Sequence, residues 1–550
     1  MNSYLLLPQF LEKDLDIFMV SLIAIISSVL MIFVGYKLLQ MLQLTGYKLN
    51  GFVRWFKETK NSYISRLFML SFLSIASMLI TNVLLADFFV VQTLSYFSIM
   101  FYLLFSAIFI INLFTTKQKT PLKYTKRMTR LVVVFFLLTA VLSVGLAFVG
   151  LKFIPYLSFG IMGIVPLFLP GIVFLSYYIT YPLEKLISNS YVKKAKRKLA
   201  ERENLVVIGI TGSYGKTTVK NILKTILAEK FEVCATPASF NTPLGLSKTI
   251  LSNLDEKHNV LIAEMGAKQQ GDIKDLCHMV NPKFGVITGI GNQHHLTFGS
   301  FEKILETKSE LAEFVVSQSG KVYVNVENEL TRNILAKYPD VIQVSAGEGE
   351  FDLKLKNVKT STQGSSFELE FDGKTVKCKT VLLGKHNISN IMIAARVALD
   401  MGLSIKEIAS GIDKISVIPH RLEVIESMAP YTIIDDAYNS SVEGSKASLD
   451  VISGFKGKKI VITPGLVELG SEQRKCNYEF GANMAKVCDY VIIDSSINYE
   501  AIFAGLVDSG FDKEKIIQTA TLKQAVEVLG TIASAGDVVV FENDLPDNYS

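Results

Sequence analysis

Cysteine is scarce and one-sided. The 550-residue chain has five, Cys234, Cys277, Cys378, Cys476 and Cys488, an odd number with no C-x-x-C pair. That usage excludes a disulfide framework, gives no support to a structural zinc and fits a reducing compartment. Excess charge is missing too. The formal net charge is only +5, and the basic residues gather beside apolar segments instead of forming one broad face, so no nucleic acid is expected among the partners. The first apolar run lacks a preceding basic n-region and does not read as a cleaved signal peptide.

What is plentiful is long apolar sequence. The stretches at about 17–36, 67–86, 88–114, 131–151 and 153–183 carry no charged residue, and each reaches the roughly 20 residues that a helix needs to cross hydrocarbon. Such a succession predicts an N-terminal α-helical membrane bundle of five transmembrane helices over 1–183. Segment 37–66 holds Lys37, Lys48, Arg54, Lys57, Lys60 and Arg66, and segment 115–130 holds Lys117, Lys119, Lys123, Lys126, Arg127 and Arg130. The alternate segments hold little positive charge. The positive-inside tendency then places the N-terminus outside a cytoplasmic (inner) membrane and residue 184 onward in the cytoplasm. A basic linker, 184–204, includes Lys193, Lys194, Lys196, Arg197 and Lys198, a run suited to anionic headgroups of membrane lipids or to a solvated helix. The last span carries Pro155, Pro166, Pro170 and Pro182 and is expected either to kink or to face lipid or substrate.

Beyond the linker the pattern changes to strands alternating with helices. Runs at 205–210, 259–263, 284–288 and 321–325 predict a central α/β domain with a parallel sheet over 205–417. Runs at 431–435, 459–463, 489–493 and 537–541 predict a smaller, Rossmann-like C-terminal α/β domain over 418–550. No G-x-G-x-x-G accompanies the latter, so dinucleotide binding is not expected.

Residues 209–218, Gly-Ile-Thr-Gly-Ser-Tyr-Gly-Lys-Thr-Thr, join a strand pattern to a helix pattern. A glycine loop in that setting turns backbone N–H groups inward, and the positive end of the following helix favours a polyanion. Gly212 and Gly215 provide the turn, Lys216 a charge for the β/γ-phosphates and Thr217 a hydroxyl for Mg²⁺. The strict G-x-x-x-x-G-K-[ST] spacing is not met, because Ile210 stands where its first glycine would be. Glu264, His294 and His295 follow strand ends, where open parallel sheets bind ligands, and Lys308 lies one helix later, after an expected N-cap at Ser300. A carboxylate and an imidazole there could hold Mg²⁺.

Several blocks resemble one family, the bacterial Mur ligases, and most of all its MurF branch, which joins D-alanyl-D-alanine to a UDP-muramoyl tripeptide using ATP. They are Ile210–Thr218, Ser239-Phe-Asn-Thr-Pro-Leu-Gly245, Ala263-Glu-Met-Gly-Ala267, Gly291–Ser300 with Thr307-Lys308, Gly384-Lys-His-Asn-Ile-Ser-Asn390, His420-Arg-Leu-Glu423 and Asp435-Asp-Ala-Tyr-Asn439. The resemblance implies a P-loop ATP-binding central domain, with a C-terminal domain that closes over ATP. It also implies an acyl-phosphate route to an amide, ATP and Mg²⁺ as cofactors, and as partners a carboxylate acceptor and an amino acid or dipeptide amine.

By the same resemblance, Gly212, Ser213, Gly215, Lys216, Thr217 and Thr218 hold phosphates. Thr217, Glu264 and His294 serve metal, with His295 as the competing histidine. Lys308 matches a lysine that the family carbamylates, giving it a metal-side and catalytic role beside Lys216 and His294. Asn387, Arg421 and Asp436 contact adenine, phosphate and ribose, and Asn241 and Thr242 touch the muramoyl-peptide substrate. The family's sugar-gripping N-terminal domain is replaced here by apolar helices, so the acceptor is either a muramoyl-peptide or a lipid-linked analogue. The C-terminal Val538-Val-Val-Phe-Glu-Asn-Asp-Leu-Pro546 departs from the usual Lys-Gly-Ser-Arg-like segment, and Asn439-Ser-Ser441 from the usual Asn-Pro. A ligase of a membrane-linked peptide or polyglutamate polymer is the alternative within this chemistry. An ATP-driven transporter and an inactive binding scaffold are the alternatives outside it.

Overall fold

The computed structural model describes residues 21–58, 62–85, 91–115, 120–153, 160–291, 298, 300–347, 349, 351–438 and 441–543. The chain divides into two compact units, 1–187 with 546–550, and 188–545.

The first unit is helical: α1 (Ser21–Val34), α2 (Tyr36–Leu44), α3 (Leu49–Glu58), α4 (Ser62–Leu85), α5 (Val91–Thr115), α6 (Lys126–Phe153) and the start of α7 (Val165–Ala200). Among the described residues three helices are long and apolar enough to cross a membrane, and a fourth span results if α1 and α2, bent by 44°, count as one. Ile99–Thr115 of α5 is a further apolar stretch. Residues 17–20, 86–90 and 154–159, which fall within four of the five expected spans or between them, lie outside the described residues. Large apolar side chains point outward, Phe68, Phe72, Ile111 and Val141 among them, an arrangement that water disfavours and hydrocarbon does not.

Several polar contacts of this unit lie at its basic connections. Gln43 exchanges two hydrogen bonds with the backbone of Lys123 (2.7 and 2.8 Å), Arg127 lies 3.8 Å over the Tyr47 ring, and Arg130 donates to Glu184 at 2.6 Å. Pro170 and Pro182 sit inside α7, which runs unbroken through the basic linker as far as Ala200.

The second unit holds two parallel-type sheets. In the first the strand order is β2 (Val233–Ala235), β3 (Val260–Glu264), β1 (Val206–Thr211), β4 (Phe284–Ile287), β5 (Lys321–Asn325), β6 (Ile342–Val344), every pair parallel. β1 and β3 read almost entirely as buried residues, as expected of strands covered on both faces. A three-stranded antiparallel meander, β7 (Leu353–Ser361), β8 (Gly364–Phe371) and β9 (Lys374–Thr380), follows. The other sheet runs β10 (Glu423–Ile425), β11 (Thr432–Asp436), β15 (Val538–Glu542), β12 (Lys459–Thr463), β13 (Tyr490–Ile493), β14 (Ile516–Gln518). Only its β10–β11 pair is antiparallel.

Helix α8 (Lys216–Leu227) shows how the sequence builds the core under the site. Val219, Ile222, Leu223, Ile226 and Leu227 recur at helical spacing and are fully buried, each contributing about 2 kcal/mol of apolar burial. The opposite end of the same helix meets the glycine loop, so the packing that fixes its axis also aims its N-terminus.

Candidate functional site

β1 ends in the turn that the glycines make possible. Gly212 has φ +152°, and a Cβ there would lie 2.1 Å from Thr288 Oγ1, so no larger residue fits. Gly215 has φ +79° and is the N-cap of α8, leaving the helix's first N–H groups directed at the loop. Ser213 donates from its amide to Gly289 O (2.6 Å) and from its hydroxyl to Gly291 O (3.2 Å), stitching the loop to the end of β4. Thr218 is buried behind it.

Ile210 and Glu264 are register partners on adjacent parallel strands, so the loop after β1 and the carboxylate ending β3 emerge side by side. Thr217 Oγ1 donates to Glu264 Oε2 at 3.0 Å, and Asn241 Nδ2 donates to Oε1 at 3.2 Å. Glu264 is 1% exposed. Lys216 folds back on the loop, its Nζ donating to Gly212 O and Ser213 O, both at 2.8 Å. Burial pushes its ammonium down to about 8, opposed by Glu264 and helped by the charge of Arg421.

Lys308 lies on α11 (Phe301–Ser317), and Ser300 caps that helix by accepting from Lys303 N at 3.4 Å. It is 3% exposed. Its ammonium is pushed down to about 7, first by burial and then by Lys216, against the pull of Asp272 and Glu310. A buried lysine near neutrality exposes a free amine lone pair, the form that reacts with an electrophile such as carbon dioxide.

Helix α12 (Lys385–Asp400) brings Asn387, whose amide donates to Leu383 O at 2.8 Å and accepts from Asn390 Nδ2 at 3.2 Å. Asn390 itself abuts Gly215. From the β10–β11 corner come Arg421, its guanidinium 4.6 Å from the Tyr438 ring centre, and Asp436, which accepts from Leu422 N at 3.2 Å. Burial raises the Asp436 carboxyl to about 6, against Arg421. The structure thus gathers Gly212–Thr218, Glu264, Asn241, Lys308 and the charge of Arg421 around one loop. Thr242 is exposed and serves as the N-cap of α9 (Pro243–Asn253). His294 and His295 lie outside the described residues.

Four other residues to which the sequence assigns no role meet the site, two of them, Ser239 and Tyr438, inside the family blocks. Lys220 is buried against Glu264 at 3.0 Å, Ser239 is hydrogen-bonded to Tyr438, and Glu443, on α13 (Val442–Ser453), faces Gly291. Lys220 follows Lys216 by four residues, so both project from one helix face, a spacing visible in the sequence. The contacts of Ser239, Tyr438 and Glu443 span nearly 200 residues of chain or cross from one sheet to the other, and no local pattern signals them.

A family model described as "Mur ligase middle domain" matches residues 210–398, and one described as "Mur ligase, glutamate ligase domain" matches 420–542. A UDP-N-acetylmuramoyl-tripeptide--D-alanyl-D-alanine ligase of Bacillus subtilis (strain 168) is 30% identical over 341 residues, 61% of this chain and 72% of the relative. The chain belongs to the Mur ligase family. Its fold superposes on MurF of Acinetobacter baumannii with TM-score 0.59 at 25% identity, covering 65% of this chain and 77% of that one. MurF ligase of Thermotoga maritima in complex with ADP gives TM-score 0.58 at 27% identity, covering 65% and 80%. This Mur ligase is accordingly an ATP-dependent ligase, and the loop described above lies inside the matched middle domain.

Proposed function

We propose that this Mur ligase forms an amide bond in peptidoglycan synthesis, in the manner of the MurF branch, at the inner face of the cytoplasmic membrane. Residues 1–183 would be its multi-pass anchor with the N-terminus outside, 205–417 its ATP-binding domain and 418–550 the domain that closes over nucleotide. The observation that carries the reading is the meeting of Thr217 and Glu264 at 3.0 Å beside a lysine-bearing glycine loop, within a chain matched by both Mur ligase models.

In this reading Gly212–Thr218 cradle the β- and γ-phosphates, with Lys216 meeting the charge that spreads over the transferring group. The hydroxyl of Thr217 and the carboxylate of Glu264 form an all-oxygen donor pair of the kind Mg²⁺ takes. His294 and a carbamylated Lys308 would complete the metal side, and the ion when bound would neutralise phosphate charge. An oxygen of the acceptor carboxylate attacks the γ-phosphorus and ADP leaves. The amine nitrogen then attacks the acyl carbon, phosphate leaves and the nitrogen gives up a proton. Asn241 and Thr242 orient the acceptor, a muramoyl-peptide or a lipid-linked analogue. Asn387, Arg421 and Asp436 hold the nucleotide, and closure of the C-terminal domain keeps water from the acyl phosphate.

The test uses the detergent-solubilised full chain with UDP-muramoyl tripeptide, or its lipid-linked counterpart, and a panel of amines including D-alanyl-D-alanine. ADP and phosphate should be released only when acceptor and amine are both present, and Lys216→Ala should abolish release. Turnover that survives this substitution, or that needs no amine, overturns the proposal.

A further inference from the structure

Lys220 has no assigned part in the chemistry, yet it occupies the middle of the site. Its side chain is about as buried as that of Glu264 (2% and 1% exposed). A buried ammonium is costly unless its protons are taken up. Here one goes to Glu264 Oε2 at 3.0 Å and another to the backbone carbonyl of Ala238. Ala238 holds φ +44°, the left-handed region, so the loop carrying that carbonyl is turned toward the lysine at a conformational cost. Three residues on, Asn241 reaches the other carboxylate oxygen at 3.2 Å, while its own carbonyl accepts from Gly266 N at 2.9 Å. Loop 236–242 is therefore tied twice to one carboxylate, through Lys220 and through Asn241. Thr217 of the phosphate loop shares Oε2 with the lysine.

We infer that Lys220 is a positioning residue that couples the nucleotide side of the cleft to the acceptor side, by making the placement of loop 236–242 depend on what else Glu264 Oε2 holds. The inference rests on the reading of Glu264 as a metal-side ligand and of Asn241 as an acceptor contact. Any cation drawn to Oε2 competes with the ammonium there. The lysine then shifts toward Ala238 O, and the acceptor loop tightens or moves with it.

The experiment is amide hydrogen exchange on the detergent-solubilised full chain, followed in peptides covering 236–242, with AMPPNP alone and with AMPPNP plus Mg²⁺. In the unsubstituted chain, loop exchange should change only when both are present. Lys220→Met should raise basal loop exchange about tenfold, the consequence of losing one charge-assisted hydrogen bond, and should erase the response. Lys220→Arg should restore much of it. Peptides of β12 and β15 report folding in each variant. A loop in the unsubstituted chain that is indifferent to Mg²⁺–AMPPNP overturns the inference, with no variant needed. So does a Lys220→Met loop that behaves as the unsubstituted one. A chain that ligates without this response defeats the coupling alone, and one that responds without ligating defeats the proposed function alone.

Discussion

Thr217 Oγ1 and Glu264 Oε2 stand 3.0 Å apart because Ile210 and Glu264 are paired in register on neighbouring parallel strands, which end at one level. Glu264→Gln keeps an oxygen that can accept from Thr217 but removes the charge. We expect turnover to fall about a hundredfold or more, in line with the loss of an electrostatic group at the proposed phosphoryl-transfer site. Unchanged thermal stability beside that loss would separate chemistry from folding.

Lys308 gives a prediction with a sign in pH. Its amine loses its proton near 7 in the folded protein instead of near 10.5, so the neutral, carbon-dioxide-reactive form grows as pH rises through 7. Activity below that pH should recover on adding bicarbonate, and Lys308→Arg, which keeps charge but has no such amine, should be inactive. In Lys308→Ala, short carboxylic acids should restore part of the rate by filling the vacated space. Bicarbonate-independent activity across pH 6–8 argues against carbamylation.

Tyr438 joins the two sheets' loops, its hydroxyl bonded to Ser239 and its ring under Arg421. Tyr438→Phe removes the first contact and spares the second. The expected result is a rise of about three- to tenfold in KM for the acceptor, the scale of one hydrogen bond, with little change in KM for ATP. Steady-state kinetics with each substrate varied in turn separates the two.

His386 predicts an acid sensitivity. Burial holds its imidazole down at about 4 against an ordinary 6.5, with Asp450 opposing. Above 6.5 both folded and unfolded chains carry it neutral. As pH falls from 6.5 toward 4 the unfolded chain takes a proton that the folded one refuses, and stability drops by on the order of 3 kcal/mol. His386→Gln should flatten that part of the profile of melting temperature against pH.

Much of the ligase part was legible in sequence. The eight strand runs were read within about one residue of the observed strands, because buried parallel strands announce themselves as short apolar blocks. The Ser300 cap was foreseen on its side-chain type. The three-residue strands β2, β6, β10 and β14 are too short for any period to show, and pairing with a neighbour is what defines them. The β7–β9 meander carries a period-two signal of its own: Leu353 and Leu355 alternate with Lys354 and Lys356, and Phe367, Leu369 and Phe371 with Glu368 and Glu370. Lys220 is not legible in sequence for a different reason. A lysine mid-helix is normally solvated, and only the approach of β3 and the Ala238 turn converts it into an interior group.

The crowding at Gly212 has a practical use. With Thr288 Oγ1 only 2.1 Å from where a methyl carbon would sit, Gly212→Ala forces the loop that carries Lys216 to shift while adding and removing no charge. A strain carrying that one extra methyl group keeps the apolar helices, the basic connections and every titrating side chain, so any defect it shows belongs to the displaced loop and not to an altered electrostatic surface.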